Sequence, residues 1–102
     1  MDILFDSEGF QWDRGNNDKN FIKHNVQNWE CEQVFFNQPV IIFDDTEHSQ
    51  TEQRWAIFGK TDSNRLLIII FTRRNNLLRI ISARDMDHRE RRYYEDYEDK
   101  NT

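Results

Sequence analysis

Arginine is concentrated in one stretch of this chain. Residues 65–92 carry eight arginines, no lysine and three acidic side chains, whereas residues 1–64 carry five basic and twelve acidic ones. A guanidinium grips phosphate or carboxylate through a planar two-pronged fork and stays protonated, so it can clamp an anion but makes a poor base. Arg54, Arg73, Arg79 and Arg84 are the candidates for a phosphate clamp. A base or acid working near neutrality is best supplied by histidine, so His48 comes first, His24 next and Glu52 third. The same arginines would be structural if they paired with Glu52, Asp85 or the acids of a protein partner, and His48 could simply bond a backbone carbonyl.

Other chemistries find little support. His24, His48, His88 and Cys31 have no short metal-ligand spacing, and the loop Asp44-Asp45-Thr46-Glu47-His48 lacks a calcium-loop glycine. The chain has neither a glycine-rich phosphate loop nor a nucleophile elbow, and no bound cofactor is expected. No run of about eighteen apolar residues marks a membrane span. The first residues lack a basic start and an apolar signal core. The single cysteine, Cys31, excludes an internal disulfide, suits a reducing cytoplasm, and is expected to pack as a small hydrophobe.

The elements that must position these residues follow from pattern. At 102 residues the chain is expected to form one domain, ordered over about 10–97, with a flexible tail at 98–102. Gly9–Trp12 alternates as a short strand, and Asp13 is placed to cap a helix from about Arg14 to His24 whose first turn, Gly15-Asn16-Asn17, is weak. Asn25 suits a left-handed helix end. A second helix from about Asn28 to Phe36 turns Trp29, Val34 and Phe36 toward the core. Strands follow at Val40–Phe43, Arg54–Gly59, Arg65–Thr72 and Leu77–Ala83, with a turn at Thr61–Asn64. The unbroken apolar run Leu66–Phe71 predicts a central strand covered on both faces. Asp87 with Glu90 three residues on resembles a capping box for a last helix reaching about Asp96. In that helix Arg91 with Glu95 and Arg92 with Asp96 are spaced for ion pairs, with an anionic partner the alternative for these arginines, and Tyr93, Tyr94 and Tyr97 are spaced for core packing in preference to base stacking. The fold class is therefore α+β: an antiparallel β-meander of about four strands, two N-terminal helices and one C-terminal helix.

Register decides which arginines can act together. If Asn75-Asn76 is a two-residue turn, Thr72 faces Arg79 and Arg73 faces Leu78, which puts Arg79 and Arg73 on opposite faces. A longer or bulged loop would change that.

Taken together these residues resemble the BrnT family of toxins. The N-terminal half matches at Phe10-Gln11-Trp12-Asp13, Asn20, Lys23-His24, Val26, Glu30, Glu32, Val34-Phe35 and Pro39. The more specific match is His48-Ser49 with Glu52 and Arg54, Gly59-Lys60-Thr61, Thr72 and Arg74, the block Arg79–Met86, and Glu90-Arg91 with Tyr94. Arg14, Asn16 and Asn25 depart from the family pattern, which usually has proline, lysine and glycine there. The resemblance implies a RelE-like fold and a ribonuclease that stops translation. It also implies a ribbon-helix-helix antitoxin beside it in the genome, with which the toxin would repress its own promoter and through which alone it would meet DNA. Metal-free RNA cleavage would then use His48, Arg54, Arg79 and Arg84 as catalytic groups, with Lys23, His24, Arg73, Arg74, Arg89 and Arg92 as RNA contacts. A catalytically inactive module that only docks an antitoxin and adjusts its DNA binding is the alternative. The nuclease reading expects the arginines of the meander and the last helix to converge in one cationic hollow, neither scattered nor each neutralised by an intramolecular carboxylate; otherwise only the family likeness would support it.

Overall fold

The apolar run becomes the middle strand of a five-stranded sheet. The computed structural model describes residues 7–48 and 51–101. Within it the order is β1 (Gly9–Gln11), α1 (Lys19–His24), α2 (Asn28–Val34), β2 (Ile41–Asp44), β3 (Trp55–Lys60), β4 (Leu66–Arg74), β5 (Leu77–Asp85) and α3 (His88–Lys100). The sheet order is β1-β5-β4-β3-β2. Strands β2 to β5 form the expected antiparallel meander, and β1 adds a fifth strand parallel to β5.

Alternation along the central strand divides the core. Leu67, Ile69 and Phe71 point to one face, where they pack with Ile57, Ile80 and Ala83 against Val26, Cys31, Val34 and Phe35. Ile68 points to the other face, where Ile41, Met86 and Tyr94 close the core beneath α3. The Tyr94 hydroxyl donates to the carbonyl of Pro39 at 2.7 Å. Close approach of α2 to β3 requires Gly59, since a Cβ there would stand 2.7 Å from Val34 Cγ1. Cys31 is fully buried, and desolvation pushes its thiol up to about 12, so it packs as an inert hydrophobe.

Trp29 and Phe36 are mostly exposed, contrary to the expected phase of the second helix. The buried stripe is Glu30, Cys31 and Val34, with Phe35 just beyond the helix. A carboxylate can occupy that stripe because Arg65 meets it. Arg65 Nη1 bonds both Glu30 oxygens at 3.1 and 3.2 Å and the Asn25 carbonyl at 2.9 Å. Its Nε and Nη2 bond the two oxygens of Asp85 at 2.7 and 3.0 Å. One guanidinium thus ties the end of α1, the start of α2 and both central strands. Glu30 also accepts from the Gln27 N–H at the helix start.

The end of β5 not covered by β1 is closed by side chains. Asn16 Nδ2 donates to the carbonyls of Gln11 and Ile80, Lys19 Nζ donates to that of Ile81, and Asn20 Oδ1 accepts from the Ala83 N–H. Asn16 and Asn20 are buried for this purpose. The weak first turn is accordingly no helix: α1 starts only at Lys19 and ends, as expected, at a left-handed Asn25. Asp87 and Glu90 form the expected capping box, but α3 continues to Lys100, and Glu98 binds Lys60. The tail expected to be flexible is therefore helical up to that point.

Replacing Arg65 by Ala leaves Glu30 buried without its cation, so unfolding in urea should show a loss of about 3 kcal/mol. Arg91→Ala, on the exposed side of α3, should change stability by less than about 0.5 kcal/mol.

Candidate RNA-binding site

Three arginines gather at the end of the sheet that α3 leaves uncovered. Asn75 and Asn76 have φ of 52° and 67°, as a two-residue hairpin turn demands. The register is therefore Thr72 opposite Arg79 and Arg73 opposite Leu78. Arg79 and Arg74 share the α3 face of the sheet, and Arg54, one residue before β3, continues the row formed by Thr72 and Arg79. Arg73 stands on the opposite face and donates to Asn76 Oδ1 at 2.9 Å.

A β-bulge then decides the position of Arg84. Ile70 pairs with Ser82 but Phe71 pairs with Ile80, so Ile81 is an extra residue in β5. Without it Arg79 and Arg84, five apart, would lie on opposite faces; with it they share one. Arg84 pairs across to Ile68, four residues from Thr72 on β4, so the two arginines are roughly 13 Å apart along the sheet.

Arg74, Arg79 and Arg84 each have a carboxylate of their own. Arg79, only 8% exposed, donates to Asp13 at 2.7 Å and lies under Gly15, where a Cβ would be 2.7 Å from its Nη2. The Asp13 backbone carbonyl and the Asn16 side chain hold that turn together. Arg74 binds Glu52 through two bonds of 3.0 and 2.8 Å. Arg84 binds Glu90 likewise, at 2.8 and 2.9 Å. The pairs at the uncovered end feel one another: Arg74 acts on Asp13, and Arg54 and Arg79 act on Glu52. Asp13 and Glu52 are both held below the usual carboxylate range, chiefly by their hydrogen-bonded arginines.

The remaining predicted residues are dispersed. Lys23 and His24 end α1 beyond the β5 edge, where His24 lies near Asp85 and its carbonyl accepts from Arg65. Arg89 and Arg92 flank the cavities beside α3. The expected ion pairs of Arg91 with Glu95 and Arg92 with Asp96 are not among those formed by the described residues, as fits solvated side chains that gain little from pairing. His48 ends a 3-10 turn, Thr46–His48, in the β2–β3 connection. That connection reaches the uncovered end, since Glu52 meets Arg74 and the Gln53 carbonyl accepts from Thr72. The His48 side chain, and Ser49, lie outside the described residues. One hollow collecting every arginine does not form, because the register and the length of β5 separate them. Sequence reasoning saw in Asp13 a helix cap and in Gly15 a poor helix former, and missed that both serve Arg79; the signal was the place of Asp13 in the Trp12-Asp13 pair of the family pattern.

Among the described residues no group of three or more His, Cys, Asp or Glu side chains is arranged to hold a metal. No helix is long and apolar enough to cross a membrane. The model of the BrnT family, ribonuclease toxins of type II toxin–antitoxin systems, matches residues 12–90. The chain belongs to that family. The match begins just before Asp13 and ends at Glu90, so it contains Arg54, Arg74, Arg79 and Arg84 with all their carboxylate partners. Membership implies an RNA substrate and an antitoxin partner. No curated protein matches the chain.

The ion pairs make stability acid-sensitive. Arg84 and the Asp87 N–H hold the Glu90 carboxyl at about 2 against a usual 4.5, and Asp13, Glu52 and Asp85 are lowered in the same direction. In the pH range below their ordinary values the unfolded chain binds more protons than the folded one. Stability should therefore be flat from neutrality to about pH 5 and fall as pH drops toward 2. Urea midpoints measured across this range should show that loss, and Glu90→Gln should make it shallower.

Proposed function

We propose that the protein is the toxin of a type II toxin–antitoxin pair and cleaves RNA without a metal, at the uncovered end of the α3 face. The observation that carries this reading is the grouping of Arg54, Arg74 and Arg79 on one sheet face, within the region the family model matches. Guanidinium groups fixed in advance stabilise the charge that grows on a phosphate in the transition state. Arg79 and Arg74 are fixed in this way by Asp13 and Glu52. Each pair uses part of a five-donor fork, and an arriving phosphate competes for the rest.

In the proposed reaction a base takes the 2′-hydroxyl proton, the 2′-oxygen attacks phosphorus, and an acid gives a proton to the departing 5′-oxygen. Asp13 and Glu52 are weak bases, because their arginines hold them ionised well below neutrality. His48, on the loop that reaches this end of the sheet, is the group assigned to proton transfer. Arg84 is assigned to a neighbouring phosphate rather than the scissile one. Lys23, His24 and Arg73 are left out of the site. A ribbon-helix-helix antitoxin that restrains the toxin and represses their promoter with it, a RelE-like ancestry of the sheet, an arrest of translation and a cytoplasmic location complete the proposal.

The carboxylate partners of Arg74, Arg79 and Arg84 favour a second reading, an inactive toxin-like module that docks the antitoxin and alters its operator affinity. Cleavage assays on the full chain freed of antitoxin separate the two. The nuclease should degrade RNA in EDTA. Arg79→Ala should lower kcat by about 10²- to 10³-fold, His48→Ala by roughly 10²-fold, and Arg73→Ala should change little. Intact RNA at every toxin concentration, with a tight antitoxin complex, would leave only the second reading. Cleavage that needs added metal would remove the proposed mechanism.

A further inference from the structure

Face and register place an aromatic surface beside the arginine group. Phe43, Phe58 and Tyr93 form a cluster with ring centroids 5.4, 6.2 and 6.3 Å apart. Phe58 supports it from within, whereas Phe43 is 39% and Tyr93 50% exposed. Tyr93 lines two adjoining cavities of about 280 and 480 Å³, and Arg89 lines both as well. The larger is within the roughly 300–1,000 Å³ of small-ligand sites. Arg92 borders the smaller, and among the described residues neither Arg89 nor Arg92 makes an ion pair. Of the acids lining the two cavities, Asp87 and Glu90 are engaged in the helix cap, and Glu90 in Arg84, while Asp96 borders the smaller one beside Arg92.

Distance along the sheet connects this surface to the arginines. Phe43 lies opposite Ala56, and Ala56 opposite Ile70, on the α3 face. Ile70 is two residues from Thr72 on β4, so that row stands about 7 Å from the row of Arg54, Thr72 and Arg79. Phe58 lies one row further, opposite Ile68 and about 13 Å from the arginine row, and the floor between those two rows is Ala56, Ile70 and Ser82, all half-buried and none charged. Exposed aromatic faces beside cations are what unpaired bases stack on, while the backbone follows the positive groups.

We infer that the Tyr93 ring, backed by Phe43 and Phe58, seats one unpaired base of a single RNA strand whose adjacent phosphate is held by Arg54, Arg74 and Arg79. The inference rests on the proposed nuclease reading and adds the form of the substrate: unpaired RNA, with one base outside any stack. Arg89 and Arg92 flank the ring and neutralise the backbone on the far side of that base. An acidic protein segment would also suit two arginines, but it gives no reason for a half-exposed ring standing between them and a second arginine group.

The test is binding of a short single-stranded RNA made uncleavable by 2′-O-methyl groups to the full chain freed of antitoxin, followed by fluorescence anisotropy. Tyr93→Ala should weaken binding roughly tenfold, and Tyr93→Phe, which keeps the ring, should not. Making one position of the RNA abasic should cost the unaltered protein about as much and cost Tyr93→Ala almost nothing further. Phe43→Leu, a milder change on the same platform, should weaken binding less than Tyr93→Ala does. Equal binding by Tyr93→Ala, with no position sensitive to base removal, overturns the base seat. If Arg79→Ala still weakens binding in that case, the arginine site stands. If instead Tyr93→Ala weakens only the antitoxin complex, the surface belongs to the protein partner and the inference fails. An unaltered protein that binds no RNA overturns both the seat and the nuclease reading.

Discussion

The contact on which the site depends is the one between Arg79 and Asp13. It spans most of the chain, joining the turn after β1 to the first part of β5, and it is seated under a residue that has to be small. Arg79 is almost completely buried, and burying a guanidinium without a partner costs several kcal/mol, so the carboxylate is a condition for having an arginine there at all. The same turn carries Asn16, which satisfies backbone carbonyls of β1 and β5. One short, helix-poor segment therefore closes a sheet edge and fixes a cation on the sheet face. Its poor helix propensity is compatible with that work, because a regular helix begun at Arg14 would not place Asp13, Gly15 and Asn16 as they are.

The arginines of this chain divide by what their partners leave available. Arg65 is engaged by two carboxylates and backbone carbonyls and holds the helices to the sheet. Arg79, Arg74 and Arg84 each have one carboxylate, which orients the fork. Arg89 and Arg92 have none among the described residues. This gradation runs from structural to oriented to available, and it accounts for how a chain with net charge −5 can still present cationic surface. It also suits a toxin held by an antitoxin, since a partner's acids can compete where the intramolecular ones hold least.

What the sequence made legible is mostly local chemistry. The paired asparagines at 75 and 76 dictated a two-residue turn, and that alone placed Arg79 across from Thr72 and sent Arg73 to the other face. The capping box at Asp87, the left-handed Asn25 and the central position of β4 are likewise readable, because each depends on residues next to one another. The bulge at Ile81 was not readable, since nothing in Ile80-Ile81-Ser82 marks one residue as surplus until β4 is laid beside it. The phase of α2 was misread because Glu30 takes a buried position that only Arg65, thirty-five residues away, makes tolerable. The parallel pairing of β1 with β5 and the contact of Asp13 with Arg79 are long-range in the same sense. A shared cationic hollow was the natural inference from arginine density, and strand register overrules it.

The claim that matters most is that an RNA phosphate enters among Arg54, Arg74 and Arg79 and competes with Asp13 and Glu52 for their donors. Guanidinium ¹⁵N resonances report this directly when the free protein is titrated with an uncleavable dinucleotide. The account predicts saturable shifts at Arg54, Arg74 and Arg79, with Arg65 and Arg73 unmoved. Shifts confined to Arg65, Arg73 or the α1 end near Lys23, with Arg79 unchanged at saturation, would contradict it.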